Sequence, residues 1–241
     1  MTQEERRAVN ILRGYGDPAC YEQMVQTIAR GMAQVIHAQE SGVLIHHTKA
    51  DLYMLAGNAR RMEEMAKDIP LQAEEVLVHG SMPPERVEAI RERFGLASAM
   101  PFVLYAYYGG IPPQETELDI RPLGEEAIEF VHAHYGHASR EYLLERLREG
   151  VMLGAYVEDN AAGFIGEHIE GAMGLLHVLP EYRRHHLGCA LERADIRRTM
   201  LEGNTPFCQV FPDNQASHNL QERLGMTRAR GDLYWITNET D

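Results

Sequence analysis

Three apolar stretches follow one another between Val151 and Leu179, separated only by Glu158-Asp159-Asn160 and Glu170-Gly171. Links that short leave neighbouring strands one arrangement, antiparallel pairing, because a parallel return needs a crossover of a dozen residues or more. The third stretch opens GLLHVLPEYRRHHLGCAL, from Gly174 to Leu191. It turns at Pro180, passes Arg183, Arg184, His185 and His186, and enters a helix at Gly188. A strand handed to a helix through a basic turn is suited to a phosphate or pyrophosphate. The first amides of a helix have no partner within it, the dipole is positive there, and two arginines can pair with phosphate oxygens in forked geometry.

The rest of the chain supplies the elements such a hairpin needs around it. The first forty residues read as helices, with Asp17-Pro18 as a helix start and Met24, Ile28, Met32 and Val35 recurring on one face behind it. Strands are expected from Gly42 to His47, Leu52 to Leu55, Glu75 to His79 and Phe102 to Tyr108. Helices are expected from Ala59 to Lys67 and from Pro84 to Phe94, the latter closed by Gly95. Gly109-Gly110 and Pro112-Pro113 then mark a domain boundary, giving an N-terminal α/β domain over 1–113 and a second over 114–241. The second runs strand (Leu118 to Arg121), helix (Glu125 to Tyr135), helix (Ser139 to Arg148), the three hairpin strands and the helix from Gly188. It ends in a strand (Phe207 to Phe211), a helix (Gln215 to Leu224) and two closing strands. RERFGL at 91–96 and QERLGM at 221–226 echo one another at the ends of two helices, which raises an internal duplication.

Composition narrows the classes. Of 241 residues, 44% are hydrophobic and 24% charged, the balance of a folded domain rather than a disordered chain. A formal net charge of -13 argues against a nucleic-acid partner. Three scattered cysteines, Cys20, Cys189 and Cys208, make neither a disulfide framework nor a metal knuckle, so no metal is expected. The charged start, MTQEERRAV, and the lack of a long apolar run point to a cytoplasmic protein without a membrane partner.

The second unit resembles the GNAT superfamily of acyl-CoA-dependent N-acyltransferases. Two motifs carry the likeness: Arg183-Arg184-His185-His186-Leu187-Gly188 at the start of the helix after the fourth strand, and Asn214-Gln-Ala-Ser217 with Leu224-Gly225 near the end. The resemblance implies a mixed, mostly antiparallel sheet flanked by helices, preceded here by a smaller helix-rich α/β domain. It implies acetyl-CoA or another acyl-CoA as co-substrate, with pyrophosphate on the amides of Arg184 to Gly188 and the turn continuing to Cys189. The pantetheine arm would run along Leu176, His177 and Val178, with Asn214 and Ser217 near the cofactor. It further implies acyl transfer to a primary amine of a small molecule or amino acid by direct attack, with a homodimer left open. Two-unit relatives similar to glycine N-acyltransferases suggest a degenerate copy of the same fold for the first unit.

The chain departs from the family pattern in three places. His186 stands at the first glycine of the loop, and histidine is among the residues that tolerate positive φ. Gln221 stands where many relatives carry a tyrosine acid, and Ala172 and Gly174 lie where a carboxylate base is usual. The base is therefore sought in His177, Glu167 and His168, each of which also reads as a packed or solvated residue, and Tyr135 as a wall of the acceptor pocket. A catalytically silent CoA-binding or regulatory module is the alternative.

Overall fold

The computed structural model describes residues 1–183 and 186–238. Helices α1 (Gln3–Gly14) and α2 (Pro18–Ala29) lead into strands β1 (Ala33–Gln39), β2 (Gly42–His47) and β3 (Leu52–Gly57). Helix α3 (Ala59–Met65), strand β4 (Glu75–His79), helix α4 (Pro84–Phe94) and strand β5 (Ser98–Ala106) follow. Next come β6 (Asp119–Pro122), α5 (Ile128–His134), α6 (Arg140–Arg148), β7 (Met152–Val157), β8 (Asn160–Glu167), β9 (Met173–Val178) and α7 (Leu187–Leu201). The chain closes with β10 (Phe207–Val210), α8 (Gln215–Arg223), β11 (Thr227–Arg228) and β12 (Leu233–Thr237).

One of the first forty residues' expected helical stretches is a strand instead. Val35 and Ile36 continue the apolar spacing of α2, but Gly31 at φ +72° and the Met32 amide bound to Thr27 O turn the chain out of the helix before them. Asp17-Pro18 does open α2, yet the Asp17 side chain does not cap it. Its Oδ2 instead accepts from the amides of Arg230 (2.6 Å) and Gly231 (3.0 Å), fastening the start of α2 to the link between β11 and β12.

The chain divides into two compact units, and the division does not follow a single cut at Pro113. The first comprises Met1–Ala106, Gln209–Glu222 and Met226–Asp241; the second comprises Tyr107–Cys208 and Arg223–Gly225. The larger sheet runs β1-β2-β3-β4-β12-β5-β10, with β11 also on β5. Here β12 lies antiparallel between β4 and β5, with Leu233 opposite both His79 and Phe102, and β3 pairs with β4 in parallel. One face of this sheet (Leu44, Leu55, Val76, Val78 and Ile236) packs with Met62, Met65, Val87, Ile90 and Phe94 of α3 and α4. The apolar strand–helix spacing seen in the sequence is this packing, and each such side chain contributes about 1.5–3 kcal/mol when fully buried.

The echo between 91–96 and 221–226 has a local cause. In both, a left-handed glycine (Gly95 φ +64°, Gly225 φ +74°) ends the helix, and the amide after it reaches back five residues: Leu96 N to Arg91 O at 3.2 Å, Met226 N to Gln221 O at 3.0 Å. That is a helix-ending motif six residues long, with an apolar residue at its last position. It accounts for the likeness without a duplication.

In the second unit a four-stranded antiparallel sheet runs β6-β7-β8-β9. Leu143, Leu147, Val131 and Ile128 of α5 and α6 cover one face with Phe164, Met152 and Leu175; Leu187 and Leu191 of α7 cover the other with Ile165, Ala155 and Val178. The β7–β8 link carries Glu158 and Asp159 at φ +48° and +63°, a turn whose twist suits a two-residue hairpin.

Candidate active site

Strand β9 is interrupted. Its pairing with β8 shifts register between Phe164 and Gly166, so two residues of β9 face one of β8, and Leu175 sits at φ +52°. A bulge of this kind removes an amide from the ladder and re-aims the side chains beyond it. Leucine has no local reason to adopt the left-handed region, which costs it about 1–2 kcal/mol; burial of its side chain in the α5–α6 core holds it there.

His177 lies opposite Phe164, just past the bulge. Its ring stacks on Phe164 (centroids 5.7 Å apart, planes at 21°) and tilts against His134 at 5.8 Å. Partial burial, then the positive Arg183 and the neighbouring His134, hold its pKa below 6.5. The imidazole is therefore neutral at pH 7 and carries a lone pair, as a proton acceptor requires. His134 donates Nδ1–H to the Phe130 carbonyl at 2.8 Å, as a helix-end histidine does.

The two other candidate bases are not free in the same sense. Glu167 faces α7, the opposite side of the sheet from His177, and Arg198 Nη2 holds its carboxylate at 3.4 Å. The alternation of β8 puts Gly166 on the α5–α6 side and Glu167 on the other, so these alternative candidates lie on opposite faces of the sheet. His168 is on the α5–α6 side but is tied to Tyr142. The Tyr142 hydroxyl accepts from the Ile169 amide at 3.2 Å and lies 3.0 Å from His168 Nδ1. The assignment that uses every group sends the phenol proton to Nδ1 and leaves the imidazole proton on Nε2. His168 Nε2 lies so close over Gly174 that a methyl group there would collide with it, which explains a glycine opposite Gly166 in a strand. In that tautomer His168 presents Nε2–H as a donor.

Tyr135 ends α5 and packs edge-on against Phe164 at 6.4 Å, so it is on the same face as His177. Its phenol, and that of Tyr142, are pushed up by burial and by the charge of Glu170. Sequence reasoning missed Tyr142, Glu170 and the Leu175 bulge. Tyr142 carried only the signal of its place three residues after the Ser139 cap, and Glu170 looked like an ordinary turn residue.

At the other end of β9 the basic turn behaves as its residues suggest. Pro180–Tyr182 forms a single tight helical turn, and Arg183 Nε donates back to the Val178 carbonyl at 3.0 Å. Arg184 and His185 lie outside the described residues. His186 adopts φ +60°, ψ 8°, the left-handed conformation a glycine would take, and stands at the N-cap of α7 with no side-chain hydrogen bond to the helix. The first turn of this 15-residue helix, Leu187, Gly188 and Cys189, carries no acidic residue. Its amides and dipole are open to an anion. Leu176 and Val178 pack on the α7 face of β9 with Leu187, and a methyl at Gly188 would meet Val178 Cγ2 at an ordinary 3.8 Å. Asn214 and Ser217 belong to the first unit, where the Asn214 side-chain oxygen accepts from the Ser217 amide at 3.1 Å and caps α8.

The FR47-like protein family model matches residues 150–236, which contain β7 to β12 almost whole. Solved structures extend the likeness to the full chain. A Drosophila protein from a structural genomics programme superposes with a TM-score of 0.70 at 17% identity, over 98% of this chain and 97% of that one. A GCN5-related N-acetyltransferase from Kribbella flavida gives 0.55 at 11% identity over 97% and 96%, and an acetyltransferase of the GNAT family from Colwellia psychrerythraea 0.51 at 13% over 85% and 84%. The fold is that of the GNAT acetyltransferases. No curated protein sequence matches the chain.

Among the described residues no three His, Cys, Asp or Glu side chains gather where a metal ion could be held, and no helix is long and apolar enough to cross a membrane. Burial pushes Cys20 up to about 12 and Cys208 well up, so neither thiol is a ready nucleophile.

Proposed function

We propose that the protein transfers an acetyl or other acyl group from acyl-CoA to a primary amine by direct attack of the amine. The observation that carries this reading is the bulged β9 with a neutral His177 just past it, leading through Arg183 to an uncapped, acid-free helix start. The residues fit the co-substrate: the α7 amides from Leu187 to Cys189 suit a pyrophosphate, Arg183 and Arg184 its charge, and Leu176 to Val178 an extended arm. The bound thioester supplies the acyl group. His177 takes the proton of the attacking amine at its free ring nitrogen, the amide freed by the bulge stabilises charge on the carbonyl oxygen, and as the C–N bond forms the C–S bond breaks, CoA leaving as a thiolate that takes a proton from solvent. His168 Nε2–H, fixed by Tyr142, adds a donor on the same face.

The second reading, a CoA-binding module without turnover, draws on Ala172 and Gln221, which are both buried and supply neither a carboxylate nor a phenol. Thiol release from acetyl-CoA with a panel of amines separates the two. We expect turnover, with a limb in kcat/KM on the acid side of pH 7 from protonation of His177, and with that limb abolished in His177→Ala. Binding of CoA without turnover on any amine favours the module, and absence of CoA binding refutes both.

A further inference from the structure

The first unit has a cavity of about 500 Å³, and none of the residues that line it belongs to the second unit. It arises where the last two strands follow β5 unevenly. Arg228 of β11 stands opposite Tyr105, and Leu233 of β12 stands opposite Phe102. Three steps along β5 are thus matched by five on the other side, so the chain between β11 and β12 carries two surplus residues and bows out of the sheet. Val103 has no cross-strand neighbour from either strand, and it floors the cavity as a half-buried residue.

The wall made by this excursion is fixed. The Ala229 amide donates to the Leu104 carbonyl at 2.8 Å, Asp17 Oδ2 accepts from the next two amides, and the Asp232 carbonyl accepts from the Gly80 amide at 3.1 Å. A methyl group on Gly231 would come within 2.9 Å of Cys20 Sγ, so glycine is what lets the chain lie against α2. A wall already in place needs little ordering when a ligand arrives.

The lining is apolar with a charge at one end. Cross-strand partners share a face, so Tyr234, opposite Pro101, and Arg228, opposite Tyr105, lie on the face of Pro101 and Val103. Pro212 adds a second proline ring. Arg230 has Nη2 on the Gly16 carbonyl at 2.8 Å. Arg228 is exposed and, among the described residues, makes no hydrogen bond or ion pair. With Asp232 the lining holds two guanidinium groups and one carboxylate, an excess of positive charge in a chain whose formal net charge is -13. Small-molecule sites run from about 300 to about 1,000 Å³ and are mostly apolar, with a few polar groups that orient the ligand.

We propose that this cavity binds a small aromatic carboxylate, its anion on Arg228 and its ring over Val103 between Pro101 and Tyr234. A forked arginine–carboxylate pair fixes the charged end, and contact with the Tyr234 ring holds the apolar end. The site goes beyond the transferase reading, which draws on residues of the second unit, and stands or falls separately from it.

The test titrates 2-naphthoate calorimetrically into the full-length protein, with 2-naphthylmethanol and acetate alongside. The acid should bind at least tenfold more tightly than the alcohol, which lacks the charge, or acetate, which lacks the ring. Arg228→Gln should bring the acid down to the level of the alcohol and leave the alcohol unchanged. Val103→Trp, which fills the floor, should weaken acid and alcohol together. Thermal melts check folding; Arg228 is exposed, so Arg228→Gln decides alone if Val103→Trp does not fold. No binding of the acid, equal binding of acid and alcohol, or an acid preference that survives in Arg228→Gln overturns the proposal.

Discussion

Replacing Asp195 with Asn tests the electrostatics of α7 against a definite sign. Asp195 is fully buried; Arg198 Nε meets its Oδ1 at 2.8 Å, and its Oδ2 has no hydrogen-bond partner. Arg198 divides its attraction, since it also holds Glu167 at 3.4 Å and Glu202 at 2.9 Å. Burial outweighs that shared attraction and pushes Asp195 up from 3.8 to about 6. A carboxyl whose folded pKa exceeds its unfolded value keeps its proton more tightly in the fold. Its stabilising contribution is therefore complete below about pH 4 and is lost as pH rises through about 6. Two pKa units at 1.36 kcal/mol each make that loss about 3 kcal/mol. A carboxamide has nearly the shape of the protonated acid and does not titrate. The Asp195→Asn protein should consequently gain about 3 kcal/mol on the wild type between pH 4 and pH 7, measured by urea unfolding at unit intervals of pH with the m-value checked for constancy. A variant that instead loses ground as pH rises would mean that the Arg198 pairing dominates the desolvation, and the reasoning would fall.

Two other perturbations have directions of their own. His79 is buried in the first unit with Nδ1 on the Cys20 carbonyl at 2.9 Å, and burial pushes its pKa down to about 4. A depressed histidine gives the opposite slope: stability is full above about pH 6.5 and falls by about 3 kcal/mol toward pH 4, and His79→Gln, whose amide can still donate to Cys20, should remove that part of the acid loss in the same titration. In the β7–β8 turn, Glu158 and Asp159 both occupy left-handed backbone. Changing them to Asn and Gly should raise stability by about 1 kcal/mol, read as a higher melting temperature; a lower one would show that the side chains matter more than the backbone there.

Much of this fold is readable because its signals are local. The strand at Glu75–His79 and the helix at Pro84–Phe94 are bounded by their own turn residues, and the hairpins of the second unit follow from links two or three residues long. His186 in left-handed backbone was readable for the same reason, since the conformation is a property of that residue and its place before a helix. What was not readable depends on partners far along the chain. Val35 and Ile36 have the spacing of the preceding helix, and only pairing with β2 makes them a strand. Strands β10 and β12 follow the GNAT-like order of elements, but nothing in their residues says that they join a sheet built by the first hundred residues. At the site, the bulge at Leu175 decides which side chains share a face, and a buried leucine in left-handed backbone has no sequence signature. Glu170 looks like a solvated turn residue, yet in the fold it is only 5% exposed.

The position of β12 bears on how the molecule is made. The strand between β4 and β5 comes from far along the chain, about 130 residues after β5. Until it emerges, two long edges of the first sheet face one another without their shared neighbour, and exposed edges of that kind are templates for pairing with other chains. Closure of that sheet is a contact of very high sequence separation, which sets a slow final step in folding. It also means that the protein has no place where a single cut yields two self-sufficient halves. A fragment ending near Pro113 would lack a central strand of its own sheet, and removing the last few residues of β12 would strike at the middle of the first unit and not at its rim.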